Sequence, residues 1–118
     1  MDYQAITLVI ADDIATLTLN RPDVMNALNT QMRAEITHAV KGASRKARVL
    51  VMTGAGTAFC SGQDLGDGGN AANLDLERTL RDEYVPMLRA IFDSPIPTIA
   101  AVNGAAAGAG ANLALACD

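Results

Sequence analysis

TIAAVNGAAAGAGANLALACD, residues Thr98 to Asp118, runs from a buried strand through a turn into a helix. Thr98-Ile99-Ala100-Ala101-Val102 is a short apolar run closed by Asn103-Gly104, a turn dipeptide, so it reads as a strand leaving a sheet. Ala107 to Cys117 is mostly alanine and leucine, strong helix formers, and Gly108 and Gly110 fall in its first turn, where they weaken it. That cost has a use. Glycine lets another backbone or a ligand come close, and the free N–H groups at a helix start attract negative charge. The segment therefore predicts an anion site built from backbone.

Upstream, Ser94-Pro95-Ile96-Pro97 ends a longer helix marked by Leu76, Leu80, Tyr84, Leu88 and Ile91, in which Pro86 removes one hydrogen bond and predicts a kink. From Gly54 to Asn73 the chain is rich in Gly, Ala, Asn and Asp. Its first half, Thr57 to Leu65, mixes apolar anchors with glycine and reads as ordered. Gly66 to Asn73 has little to bury and is expected to form a flexible lip. Before it, Arg48 to Thr53 is a buried strand. Asn29 or Thr30 caps a helix carrying Met32, Ile36 and Val40, with Gly42 as the expected stop. Ile6 to Ile10 and Ile14 to Leu19 are β-rich runs joined through Ala11-Asp12-Asp13, a predicted antiparallel hairpin. The order ββα, βα, βα predicts a largely parallel α/β arrangement with right-handed crossovers. The chain reaches Asp118 without a closing strand, and residues 1–118 are expected to be one domain or part of one.

Composition narrows the partners. The 118 residues carry a net charge of −4 with no basic patch, which argues against nucleic acid or an anionic membrane surface. Cys60 and Cys117 lie far apart with no metal-ligand spacing, and no secretory or membrane-spanning segment is visible, so a soluble, reduced, cytoplasmic setting is expected without a bound metal.

Two other readings of the glycines compete. Gly104, Gly108 and Gly110 have a dinucleotide-site spacing, and Thr53-Gly54-Ala55-Gly56 looks like part of one. A dinucleotide fingerprint, however, opens the first βα unit and needs an acidic residue about 20 positions on. Only eight residues follow Gly110, and Phe59 stands where the Gly54 stretch needs its third glycine. Plain turns would account for either glycine region alone. Two similar strand-to-loop junctions on neighbouring strands instead direct two sets of N–H groups at one place, the outline of an oxyanion hole.

Leu19-Asn20-Arg21-Pro22, Asn26-Ala27-Leu28, Thr53-Gly54-Ala55-Gly56, Phe59-Cys60-Ser61-Gly62-Gln63-Asp64-Leu65, Pro97 to Gly104 and Gly108 to Asp118 cover nearly the whole chain. In that order and spacing they resemble the amino-terminal part of the enoyl-CoA hydratase/isomerase (crotonase) superfamily. Phe-Cys-Ser-Gly-Gln-Asp-Leu and Gly-Ala-Gly-Ala-Asn are most similar to its phenylacetate-pathway branch, the ring-epoxide and enoyl-CoA isomerases. The resemblance implies a crotonase-like α/β spiral of ββα units, incomplete at the carboxyl end, that binds an acyl-CoA and stabilises its enolate. Coenzyme A enters as part of the substrate, and no separate cofactor is implied. The implied oxyanion donors are the backbone N–H groups of Gln63 and Ala109. The implied coenzyme A contacts are Asn26, Ala27, Ser61, Gly62, Asp64 and Leu65. The full-length form is expected to be a homotrimer or hexamer.

One departure bears on the reaction. Hydratases of the family carry a glutamate at the position of Asn112, and an amide does not take a proton from water near neutral pH. The family's second acidic residue is expected beyond Asp118. Isomerisation, which runs on one carboxylate, is therefore favoured over hydration of the fatty-acid oxidation type. A truncated, non-catalytic acyl-CoA-binding protein is the alternative from another class. Elsewhere, His38 reads as a solvated surface residue and Cys60 as a small buried one lacking a partner base. Asp64 reads as fixing its own turn, and Asp67 as less constrained.

Overall fold

The computed structural model describes residues 2–66 and 75–118. Apart from Gly66, the expected flexible lip, including Asp67, lies outside the described residues. Strands β1 (Ile6–Ala11) and β2 (Ile14–Leu19) pair antiparallel, Ala11 opposite Ile14. Asp12 and Asp13 between them have φ of 53° and 66°, the left-handed pair that a two-residue hairpin requires and that Asp tolerates. Ala11 thus belongs to the strand, and the turn is one residue shorter than expected. Along β2, Ala15, Leu17 and Leu19 are fully buried while the alternate residues are not, the period of two that the sequence carries.

A short 3₁₀ turn at Pro22–Val24 leads to α1 (Thr30–Ala43). Asn29 is its cap, its side chain accepting from the Met32 N–H at 2.8 Å. Met32, Ile36, Ala39, Val40 and Ala43 turn one face of α1 into the core. Gly42 does not end the helix. It lies inside the last turn, and the chain leaves after Ala43 as Ala47 N–H closes back on the Ala43 carbonyl.

Strand β3 (Val49–Gly54) runs parallel to β2, and β5 (Thr98–Ala100) runs parallel to β3, giving the sheet order β1-β2-β3-β5. A second, two-stranded parallel sheet, absent from the sequence reading, pairs β4 (Ala58–Cys60) with β6 (Ala105–Ala106). Each of its strands leaves the main sheet through a glycine in close contact. A Cβ on Gly54 would lie 2.4 Å from the Ala58 carbonyl oxygen, and one on Gly104 would lie 1.9 Å from that of Thr57. Only the absence of a side chain lets these backbones meet.

Between β4 and β5 the described chain is helical from Leu76 to Phe92, in three parts: α2 (Leu76–Thr79), a π turn (Leu80–Tyr84) and α3 (Val85–Phe92). Val85 N–H reaches back five residues to the Leu80 carbonyl, immediately before Pro86. A proline ring presses on the carbonyl four residues back and offers no N–H, and the widened turn absorbs both effects. The predicted irregularity is therefore a π turn rather than a break. Last comes α4 (Ala109–Leu115), shorter than the expected span from Ala107 to Cys117. Gly108 stands before this helix rather than in its first turn, at φ 54° and ψ −124°, a conformation closed to residues with a Cβ. No described helix is long and apolar enough to cross a membrane.

Candidate active site

The β4–β6 sheet brings the two glycine-bearing loops together. Ala107 N–H donates to the Cys60 carbonyl at 3.1 Å, and Gly110 sits so tightly on β4 that a Cβ there would be 2.1 Å from the same oxygen. The loop after β4 is pinned on its other side. Leu28 N–H donates to the Gly62 carbonyl at 2.7 Å, and Asp64 N–H donates to the Leu28 carbonyl at 2.9 Å. Gln63 lies between those two bonds. Gly62, at φ 109°, turns the chain into it, and a Cβ on Gly62 would lie 2.9 Å from the Ala107 carbonyl oxygen and 3.6 Å from the Ala109 nitrogen.

The two N–H groups singled out in the sequence therefore sit side by side, each following a glycine with positive φ. Their neighbours are committed: Gly110 N–H to Ala107, Asn112 N–H to Gly108, Asp64 N–H to Leu28. Gln63 N–H and Ala109 N–H donate to no acceptor among the described residues. Polar donors left in that condition at a crevice are preorganised for an oxyanion.

Gln63 and Ala109 also border a cavity of about 230 Å³, completed by Leu76, Thr79, Leu80, Tyr84, Leu88 and Asn112. Its wall is largely apolar. Leu76 and Leu80 are more than half exposed, so the apolar stripe that marks this helix in the sequence lines a cavity over part of its length; Tyr84, Met87 and Ile91 supply the core. No Asp, Glu or His is among the described lining residues.

The residues expected at coenzyme A fall into two groups. Ser61 and Leu65 are exposed, Leu65 at 89%, and Asp64 is partly so. Asp64 fixes its own turn, accepting from Gly66 N–H at 2.9 Å, and forms a 3.0 Å ion pair with Arg21. The Gly66 hydrogen bond first, and then Arg21, hold its carboxyl below the ordinary aspartate range. Gly62, Ala27 and Asn26 are buried. The Asn26 amide is bonded to the protein at both of its ends. Its Oδ1 accepts from Arg21 N–H at 2.8 Å, and its Nδ2 lies 3.0–3.2 Å from the carbonyls of Ala55, Ala58 and Phe59. Asn26 thus ties the β2 and β4 loops together, its buried side chain bonded to the protein.

Cys60 is fully buried, its thiol 3.1 Å from the Asn26 carbonyl, and desolvation pushes its pKa up, the reverse of what a nucleophile needs. His38 is on the surface, paired with the Tyr3 hydroxyl at 2.8 Å. The described residues contain no group of three His, Cys, Asp or Glu arranged for a metal.

Sequence reasoning missed Arg33 altogether. It is 1% exposed on α1 and donates to Glu83 Oε1 at 2.8 Å, the Leu28 carbonyl at 2.9 Å and Gln63 Oε1 at 3.0 Å. Its guanidinium lies 4.7 Å from the centre of the Tyr84 ring, whose hydroxyl also donates to Gln63 Oε1. Burial raises the pKa of Glu83, but the Arg33 hydrogen bond and charge outweigh it and hold the carboxyl low. No sequence signal announced this cluster, because its members are scattered over residues 28 to 84.

Paired backbone donors beside a largely apolar cavity, on an α/β scaffold, form an arrangement that can hold a developing oxyanion. The enoyl-CoA hydratase/isomerase family model matches residues 10–118, and the chain belongs to that family. It is 59% identical over 118 residues, all of this chain and 46% of the other, to a probable enoyl-CoA hydratase of Rhodobacter capsulatus. With the 1,2-epoxyphenylacetyl-CoA isomerase of Escherichia coli it shares 44% over 110 residues, 89% of this chain and 42% of the relative. The crystal structure of an enoyl-CoA hydratase/carnithine racemase from Magnetospirillum magneticum superposes with a TM-score of 0.89 at 37% identity, covering 99% of this chain and 45% of that one. The fold is thus the crotonase fold, and the chain spans a little under half the length of these relatives.

Proposed function

We propose that the full-length protein acts on acyl-CoA thioesters, stabilising an enolate at the Gln63 and Ala109 N–H groups, and that it isomerises rather than hydrates. The observation that carries this reading is the pair of uncommitted N–H donors beside an apolar cavity that presents Asn112. The thioester oxygen accepts both hydrogen bonds. When a proton leaves the carbon next to the carbonyl, the charge moves to that oxygen, and donors already in place stabilise it more than the uncharged ground state.

Hydration would further require a base that activates water. Asn112 is an amide and cannot act as that base near neutral pH. Isomerisation needs one base that removes a proton at one carbon and returns it at another, a role for a carboxylate supplied by the rest of the full-length protein. The named activity of the E. coli relative supports an isomerase reading. The naming of the Rhodobacter relative supports a second one, enoyl-CoA hydration. The two are separated by assaying hydration of crotonyl-CoA beside double-bond migration in a 3-enoyl-CoA. Faster migration is expected, and fast hydration with slow migration would overturn the isomerase assignment. The expected trimer or hexamer is checked by the protein's mass in solution.

A further inference from the structure

The Gln63 N–H is useful only if its direction is fixed, and the backbone bonds of Gly62 and Asp64 to Leu28 secure the loop on one edge alone. The other hold on residue 63 is its side chain. Its Oε1 accepts from Arg33 Nη1 at 3.0 Å and from the Tyr84 hydroxyl, so two donors from different helices converge on one oxygen. The same Nη1 also donates to the Leu28 carbonyl, which receives Asp64 N–H. One guanidinium therefore holds both sides of the Leu28–Gln63 bridge. Arg33 is itself immobilised: Nε and Nη2 donate to Glu83 Oε1 at 3.0 and 2.8 Å, and Nη2 lies 3.3 Å from Thr30 Oγ1.

Resting on the oxyanion reading above, we propose that Arg33 and Tyr84 are positioning residues that aim the Gln63 N–H through the Gln63 side chain. The side chain at 63 is then part of the machinery although the donor is backbone. The arrangement also couples the oxyanion loop to the helix that forms the cavity wall. Tyr84 lines the cavity and Glu83 precedes it, so a shift of that helix would be felt at Gln63. Geometry at a reacting centre is sensitive, and a misplacement of about 1 Å costs on the order of a hundredfold in rate.

The test is a double-mutant cycle in the full-length protein, with kcat and KM on the preferred acyl-CoA and a thermal melt for each variant. Arg33 variants strip Glu83 of its buried partner, leaving it the half-exposed Arg78, and risk misfolding, so the cycle uses Tyr84→Phe, which keeps the ring under Arg33, and Gln63→Leu, which keeps the backbone N–H. Each single variant is expected to fold and to lose roughly ten- to a hundredfold in kcat with KM changed less than about threefold. The double variant is expected to be no worse than the poorer single one, because both act through one oxygen. If Tyr84→Phe keeps kcat within about threefold of the parent, or if the two losses multiply, the positioning role is wrong. Ala109→Pro separates this failure from that of the underlying reading. A slow Ala109→Pro beside fast Tyr84→Phe and Gln63→Leu removes only the positioning claim, whereas a fast Ala109→Pro removes the oxyanion hole itself.

Discussion

Replacing Ala109 by proline deletes one N–H at a position where the fold loses little. Ala109 is the first residue of α4, where proline's fixed φ is compatible with a helix, and its N–H donates to no described acceptor. The preceding residue is also suitable. Proline disfavours the helical region in its predecessor, and Gly108 at φ 54° and ψ −124° is the mirror image of the extended region, which an achiral residue adopts at no cost. No hydrogen bond among the described residues is broken, so the melting temperature should move little. Turnover should fall by roughly a hundred- to a thousandfold, about 2.7–4 kcal/mol, the usual effect of losing one oxyanion donor. The proline ring extends toward Gly62, close to the Ala109 nitrogen, so crowding must be separated from the lost donor. Ala109→Gly keeps the N–H and adds no bulk, and it should remain active. The assay is steady-state kcat on an acyl-CoA substrate with the full-length enzyme. A folded Ala109→Pro that turns over within about threefold of the parent refutes the reasoning, because the deleted donor then contributes nothing.

Two further outcomes follow from the supporting structure. Asn26→Ala should lower stability by about 1–3 kcal/mol or more, read as a fall in denaturant midpoint, because it strips the Ala55 and Phe59 carbonyls of a buried donor and places alanine at φ 58°. Glu35 is buried, and although burial alone raises its pKa, bonds from Gln31 and from the N–H groups of Gln4 and Ala5 hold it below 4.5. Its contribution is therefore present above that pH and lost as pH falls through the lower, folded pKa, so Glu35→Gln should flatten the acid limb of the stability curve.

Local signals in the chain were strong where they rested on periodicity or caps. The alternation in β2, the Asn29 cap and the Met32-Ile36-Val40 face are legible because each is a short-range effect. The β4–β6 sheet was not. Strands of three and two residues made of Ala, Phe and Cys carry no alternation, and their pairing depends on contacts across more than forty residues. Leu76 and Leu80 show a second limit: spacing reveals that a helix has an apolar face but not whether that face meets core or cavity. Gly42 was misread because glycine in a final turn and glycine just past it look alike in sequence. The meeting of the two glycine-bearing loops at Gln63 and Ala109 was legible from glycine placement and from resemblance. Arg33 was not, since a charged residue on a helix reads as solvated until Glu83 and Tyr84 are seen beside it.

The central claim is that two backbone N–H groups, from Gln63 and Ala109, hold the thioester oxygen. Its most direct test is a crystal structure of the full-length protein with a bound acyl-CoA or a non-reactive thioester analogue. The account predicts the thioester oxygen at about 2.7–3.1 Å from both nitrogens, with the acyl chain entering the cavity between Leu76, Leu80 and Asn112. An oxygen beyond about 3.5 Å from either nitrogen, held instead by a side chain, would contradict it.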